Sequence, residues 1–186
     1  MLNSPMALLL PFSTHRLHLR PLVAADAPGM LALDSDPAVR RYLGGIGGPQ
    51  AHSLADSEAT IRFIQAQYAA VGIGRWAVLL AATGEFMGWA GLKLVAGPVN
   101  GQRDFYDLGY RFLPRYWSQG YGYEAAQTWL AHGFGTLGLP RICAYADVQN
   151  TGSRRILEKI GLEPGNEFDE GGTRCIWYET ANPQQR

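Results

Sequence analysis

The stretch Trp117-Ser118-Gln119-Gly120-Tyr121-Gly122-Tyr123-Glu124-Ala125 joins an extended apolar segment to an amphipathic helix. Such a junction commits the chain to a strand, a tight turn and a helix in succession, because Gly120 and Gly122 permit torsions that other residues resist. The same glycines remove the Cβ atoms that would hold a ligand away from the backbone. Successive amide hydrogens can then converge on an anion, and a helix starting at about Tyr121 adds unpaired N–H groups and roughly half a positive charge at its first turn. The turn reads as a pyrophosphate cradle that needs no arginine.

The 186 residues are one domain's worth, enough to bury a full core. Sixteen basic and sixteen acidic residues cancel, so no global field gathers nucleic acid or an acidic membrane surface. Cys143 and Cys175 sit far apart with no CxxC or Cys/His cluster, which points to reduced thiols within strands of a cytoplasmic protein and away from a metal site. The apolar run from Met6 to Phe12 lacks preceding basic residues and a small-residue cleavage site, so residues 1–13 read as a flexible lead-in. No window approaches the roughly 20 apolar residues of a membrane span.

Alternation over Leu17 to Leu22 predicts a strand, Asp26-Ala27-Pro28 a helix start, and Asp36-Pro37 a second short helix. Residues Gly44 to Pro49 hold no regular structure and read either as a substrate-facing loop or as a plain linker. A helix follows from Leu54 to about Tyr68, capped by Ser53 or Asp56. Trp76 to Leu80 and Phe86 to Leu92 form a hairpin around Thr83-Gly84-Glu85, and Tyr106 to Leu113 is the strand before the cradle. Beyond the cradle helix come a strand from Arg141 to Asp147, a helix from Thr151 to Ile160 and a last strand from Thr173 to Glu179. The two β-α crossings imply parallel neighbours and the hairpins antiparallel ones, so the sheet is mixed and the class α+β or α/β.

A glycine turn alone is weak evidence, since it also marks dinucleotide sites, but those place it after the first strand. Here it follows four predicted strands and is succeeded by Asn150-Thr151-Gly152-Ser153-Arg154-Arg155-Ile156-Leu157-Glu158-Lys159-Ile160-Gly161-Leu162. With Leu108-Gly109-Tyr110-Arg111-Phe112 upstream, these segments resemble the GNAT superfamily of acetyl-CoA-dependent N-acetyltransferases, and within it the branch of ribosomal-protein N-terminal (alanine or serine) acetyltransferases. The resemblance implies a single acetyltransferase domain over residues 14–182. It also implies a three-layer α+β fold whose mostly antiparallel central sheet is flanked by helices and splayed in a V between the fourth and fifth predicted strands.

The family's cradle pattern, Q/R-x-x-G-x-G/A, falls on Trp117, Gly120 and Gly122, with tryptophan replacing the usual polar residue. It implies acetyl-CoA as co-substrate, held by the amides of Gln119, Gly120, Tyr121, Gly122 and Tyr123, with Glu124 in the same turn acting as a partner of the helix dipole. The strand before the cradle is expected to be bulged, with backbone groups of Phe112 and Leu113 pairing with the pantetheine arm. Asn150 would cap the second helix and reach the cofactor, while Ser153 would face the slot one turn on and meet the sulfur. Many relatives place a tyrosine where this chain has Leu157, which leaves Ser153 as the acid for the departing thiolate, directly or through water. Asp107 ranks first among carboxylates as the base, alongside a water relay. His132 reads as a surface or packing residue, and Arg154 and Arg155 as cofactor contacts or solvated side chains.

The expected reaction is direct attack of an amine on the thioester, with no acyl-enzyme. An inactive coenzyme A sensor or interaction domain is the alternative. The acceptor, a protein N-terminus or a small-molecule amine, would be chosen by the helices and loops around Arg40 to Tyr68, near which Asp34 and Asp36 read as helix caps. No nucleic acid or membrane partner is expected, and a homodimer is left open.

Overall fold

A computed structural model describes residues 10–44 and 51–185. The loop expected at Gly44 to Pro49 falls, after its first residue, outside the described residues.

Eight strands, β1 (Phe12–Ser13), β2 (Leu17–Pro21), β3 (Arg75–Leu80), β4 (Phe86–Val95), β5 (Phe105–Phe112), β6 (Arg141–Asp147), β7 (Glu163–Glu170) and β8 (Thr173–Ala181), form one sheet in the order β1-β2-β3-β4-β5-β6-β8-β7. All neighbours are antiparallel except β5 and β6. The helices are α1 (Ala27–Ser35), α2 (Pro37–Arg40), α3 (Leu54–Val71), α4 (Tyr121–Gly135) and α5 (Thr151–Lys159). The architecture is the expected helix-flanked, mostly antiparallel sheet.

Local chemistry explains the helix boundaries. The Asp36 carboxylate accepts from the amides of Ala38 and Val39 and starts α2, while Ser53 accepts from Asp56 N and starts α3. Asp34 is not a cap: it is buried and paired with Arg111. The amphipathic face of α4 buries Ala125, Ala126, Trp129 and Gly133 against β4 and β5, and Leu157 anchors α5 in the same core.

Three expectations are corrected. Phe12 and Ser13 belong to the sheet and not to a flexible lead-in: Phe12 packs on Trp76, Trp129 and His132 with centroids 5.2, 5.3 and 5.2 Å apart. Strand β7 carries Pro164, Gly165 and Asn166, which hide it from strand cues; as the outermost strand it has one unpaired edge, and its register shifts between Pro164 and Glu167 to absorb the misfit. Only one of the two β-α crossings yields parallel neighbours, because β8 inserts between β6 and β7.

Candidate active site

Strands β5 and β6 share a single registered pair, Asp107 with Cys143, and then separate while β5 runs on to Phe112 and β6 to Asp147. This is the predicted splay, one strand later in the count because β1 was not foreseen. No bulge causes it: β5 keeps unbroken register with β4 from Phe105 to Phe112, and the irregularity lies instead between Val78 and Leu79 of β3.

Alternation along β5 decides which backbone groups face the opening. Leu113 N donates to Met87 O at 2.9 Å and Leu113 O accepts from Tyr116 N at 2.9 Å, so the Leu113 amide is committed to β4 and its carbonyl to the turn that follows. By antiparallel alternation the amides of Tyr110 and Phe112 point away from β4, into the splay. Trp117, 39% exposed, donates its indole N–H to Phe112 O at 2.7 Å and lies across the end of the strand. The expected pair therefore shifts to Tyr110 and Phe112.

The cradle forms where β5 gives way to α4. Ser118 and Gly120 both have positive φ, +58° and +82°, and between them Gln119 turns its side chain back to Arg115 O at 2.7 Å. Helix α4 begins at Gly120 with no side-chain cap, and its first internal bond is Glu124 N to Gly120 O at 3.0 Å. The amides of Gly120, Tyr121, Gly122 and Tyr123 thus have no partner within the helix and converge on its mouth, an arrangement that fits a diphosphate. Gly122 also lies against α5: a Cβ there would stand 3.0 Å from Ile156 Cδ1, a tight contact that the Ile156 side chain would have to yield to.

Glu124 faces the back of this turn. It accepts from Thr14 Oγ1, from Arg16 N at 3.1 Å and from Arg16 Nε at 2.7 Å, while Arg16 Nη1 donates to Gln119 O at 2.9 Å and the guanidinium stacks on Tyr121 at 4.4 Å. Burial raises the carboxyl's pKa, but the bonds from Thr14 and Arg16 outweigh it and the net shift is downward. Arg16 thereby ties the start of β2 to the cradle, a role nothing in its local sequence announces. Arg16→Ala is expected to raise the KM for acetyl-CoA about tenfold, the worth of one or two charge-assisted bonds, with kcat at saturation close to that of the parent protein. Because the folded pKa of Glu124 lies below its ordinary value of 4.5, the clamp's contribution to stability is complete above that value and lost as pH falls through the depressed one.

Across the opening, Asn150 caps α5 by accepting from Ser153 N at 3.0 Å, so its carboxamide oxygen is committed to the helix. Ser153 Oγ lies 3.1 Å from the Tyr110 hydroxyl, which also donates to Ser153 O at 3.0 Å. Burial pushes the Tyr110 phenol far up, so it stays protonated near neutrality. Tyr110 is a site residue that the sequence reading quoted only as part of a motif.

Asp107 is buried at 5% exposure, ion-paired with Arg75 and 3.8 Å from Lys93 Nζ. His132 stacks on Phe12, and Arg154 turns inward to Tyr178 OH at 3.2 Å and Val148 O at 3.0 Å, so both serve packing. Cys143 and Cys175 are buried free thiols raised by desolvation to about 12 and about 11. Among the described residues no group of three or more His, Cys, Asp or Glu is placed to hold a metal, and no helix is long and apolar enough to cross a membrane.

A single cavity of about 1270 Å³ joins these parts. Strand β5 lines it with every residue from Asp107 to Phe112. Consecutive strand residues point to opposite faces, so the cavity passes through the sheet at the splay. Gly120, Gly122, Tyr123, Asn150 and Ser153 line one end, and residues of α1, α2 and α3 line the other. The segment Arg40 to Tyr68 expected to choose the acceptor supplies Tyr42, Leu43, Phe63 and Ile64 to that second end.

An open diphosphate cradle beside a split sheet is the arrangement of the acetyl-CoA-dependent acetyltransferases, and comparison with known proteins agrees. The model of the acetyltransferase (GNAT) domain matches residues 16–163, and the chain belongs to that family. It is 30% identical over 170 residues to the uncharacterized N-acetyltransferase YoaA of Bacillus subtilis, covering 91% of this chain and 89% of that one. It is also 30% identical over 152 residues to the FsC-acetyl coenzyme A-N(2)-transacetylase of Aspergillus fumigatus, covering 80% of this chain and 63% of that one. The ribosomal-protein-S5-alanine acetyltransferase of Vibrio fischeri superposes with a TM-score of 0.77 over 95% of this chain and 99% of that one at 14% identity, and so shares the fold. The protein is an acetyltransferase, and its family uses acetyl-CoA as co-substrate.

Proposed function

We propose that the protein transfers the acetyl group of acetyl-CoA directly to a primary amine that enters from the α1–α3 side. The observation that supports this reading is one cavity lined by the cradle at one end and by α1, α2 and α3 at the other. Bound acetyl-CoA supplies an acyl group activated as a thioester.

The chain's own residues have defined tasks in this reading. The amides of Gly120, Tyr121, Gly122 and Tyr123 hold the diphosphate, with Gln119 completing the turn and Trp117 closing its edge. The slot-facing amides of Tyr110 and Phe112 align the pantetheine arm and polarise the carbonyl. Asn150 and Glu124 position the two helix starts. Ser153, hydrogen-bonded to the protonated Tyr110, donates its proton to the departing thiolate and regains one from water. Asp107, held by Arg75, maintains the cavity floor, and the ammonium loses its proton through water. Neither thiol is placed to form an acyl-enzyme, since both are buried and raised well above neutrality.

Ser153→Ala is expected to lower kcat about 100-fold, the range of a lost general acid, while the KM for acetyl-CoA stays near that of the parent protein. An acetyl-transfer screen over amines and peptides, followed by initial-velocity patterns, tests the whole reading. Intersecting lines are expected; parallel lines, the mark of a covalent acetyl-enzyme, would contradict it.

A further inference from the structure

The acceptor end of the cavity has a floor whose charges do not balance. Three rows of the sheet build it. Arg75, Gly91 and Gly109 stand in register across β3, β4 and β5, flanked by the pairs Trp89–Arg111 and Lys93–Asp107. Gly109 leaves a trough filled by the Arg75 guanidinium, since a Cβ there would lie 2.5 Å from Arg75 Nη2, while a Cβ on Gly91 would meet the backbone of Gly74 and Arg75. From the trough Arg75 donates to the carbonyls of Gly91 and Asp107 and to the Asp107 carboxylate, and Trp89 lies between Arg75 and Arg111 at 5.2 and 5.0 Å.

Each floor carboxylate is already answered by a guanidinium. Arg75 answers Asp107, and Arg111 answers Asp34 at 2.5 Å. Lys93 is the third cation, and its 3.8 Å contact is to the same Asp107 oxygen that Arg75 holds. Its side chain is 34% exposed, against 8% for Arg75 and 13% for Arg111. Burial, with Arg75 and Arg111 nearby, pushes its pKa down against the pull of Asp107 and Glu170. The remaining carboxylates of the lining are turned to the backbone: Asp56 accepts from His52 N at 2.9 Å and Asp147 from Gln149 N at 2.8 Å. The facing wall presents Tyr42, Leu43, Ala59 and a 67% exposed Phe63, alongside Thr60 and Gln67.

We infer that the acceptor is an amine carrying a carboxylate and an apolar body, and that Lys93 binds the carboxylate. The inference rests on the amine-acetyltransferase reading above and names the chemical class of its acceptor. The anion makes the charge-assisted contact that Asp107 cannot offer Lys93, while Phe63 and its neighbours cover the apolar part. Free amino acids and peptides with an acidic residue near the amino terminus share this chemistry.

The test compares acceptors matched except for the acid: amino acids with their carboxamides, and C-terminally amidated dipeptides ending in glutamate with amidated ones ending in glutamine. For the full-length protein the carboxylate member is expected to have about tenfold higher kcat/KM, the worth of one charge-assisted bond, and Lys93→Met should abolish the preference while Lys93→Arg retains it. Preference confined to one of the two series identifies the source. A readout without turnover accompanies it: calorimetric titration of the coenzyme A-saturated protein with 3-phenylpropionate and with 3-phenylpropionamide should show binding of the acid alone, lost in Lys93→Met. Equal use of acid and amide, equal binding of the two probes, or a preference that survives Lys93→Met overturns the inference. Failure to bind acetyl-CoA at all would instead overturn the transferase reading.

Discussion

Gly120→Val is expected to weaken acetyl-CoA binding at least about 100-fold, since distorting the cradle sacrifices two or more charge-assisted bonds worth roughly 1.5–3 kcal/mol each. Gly120 sits at φ +82°, where a β-branched residue is strained, and a Cβ there would stand 3.3 Å from Arg16 Nη2. The strain is relieved by rotating the 119–120 peptide, which redirects the amides that converge on the helix mouth. The fold should survive, because left-handed strain costs about 1–2 kcal/mol against a total stability of about 5–15 kcal/mol. Calorimetric titration with acetyl-CoA and a thermal melt on the same sample separate the two effects. Undiminished affinity would remove the cradle assignment.

Asp107→Ala should be the most destabilising single change at the site. It leaves the Arg75 guanidinium buried without its counter-ion, and removing one partner of a buried pair costs about 3–5 kcal/mol. At about 2–4 °C per kcal/mol for a chain of this size, the melting temperature should fall by roughly 6–20 °C. Replacing both partners, Asp107→Ala with Arg75→Met, should cost less than the sum of the two single changes. A melting temperature within about 2 °C of the parent's, together with a collapse of kcat, would return Asp107 to the role of base.

What was legible in the sequence had local causes. Gly120, with its positive φ, and the Asn150 cap announce both helix starts of the cofactor end, and the order of motifs places the splay correctly. What was hidden depends on partners far away in the chain. Strand β7 has strand-breaking residues and exists because β8 pairs with it, while β1 is two residues held by aromatic contacts to β3 and α4. Arg16 reaches Glu124 across 108 positions, and Tyr110 reaches Ser153 across 43. Asp107 read as a candidate base on a strand; only the trough over Gly109 shows that Arg75 reaches and holds it. The direction of the Leu113 amide was hidden for a related reason, since which side of β5 a backbone group faces follows from its register with β4.

The measurement that bears most directly on the account is a crystal structure with coenzyme A bound. The diphosphate is expected within hydrogen-bonding distance of the amides from Gly120 to Tyr123, with the thiol between β5 and β6 near Ser153. A diphosphate held by side chains elsewhere, or a thiol outside the splay, would contradict it.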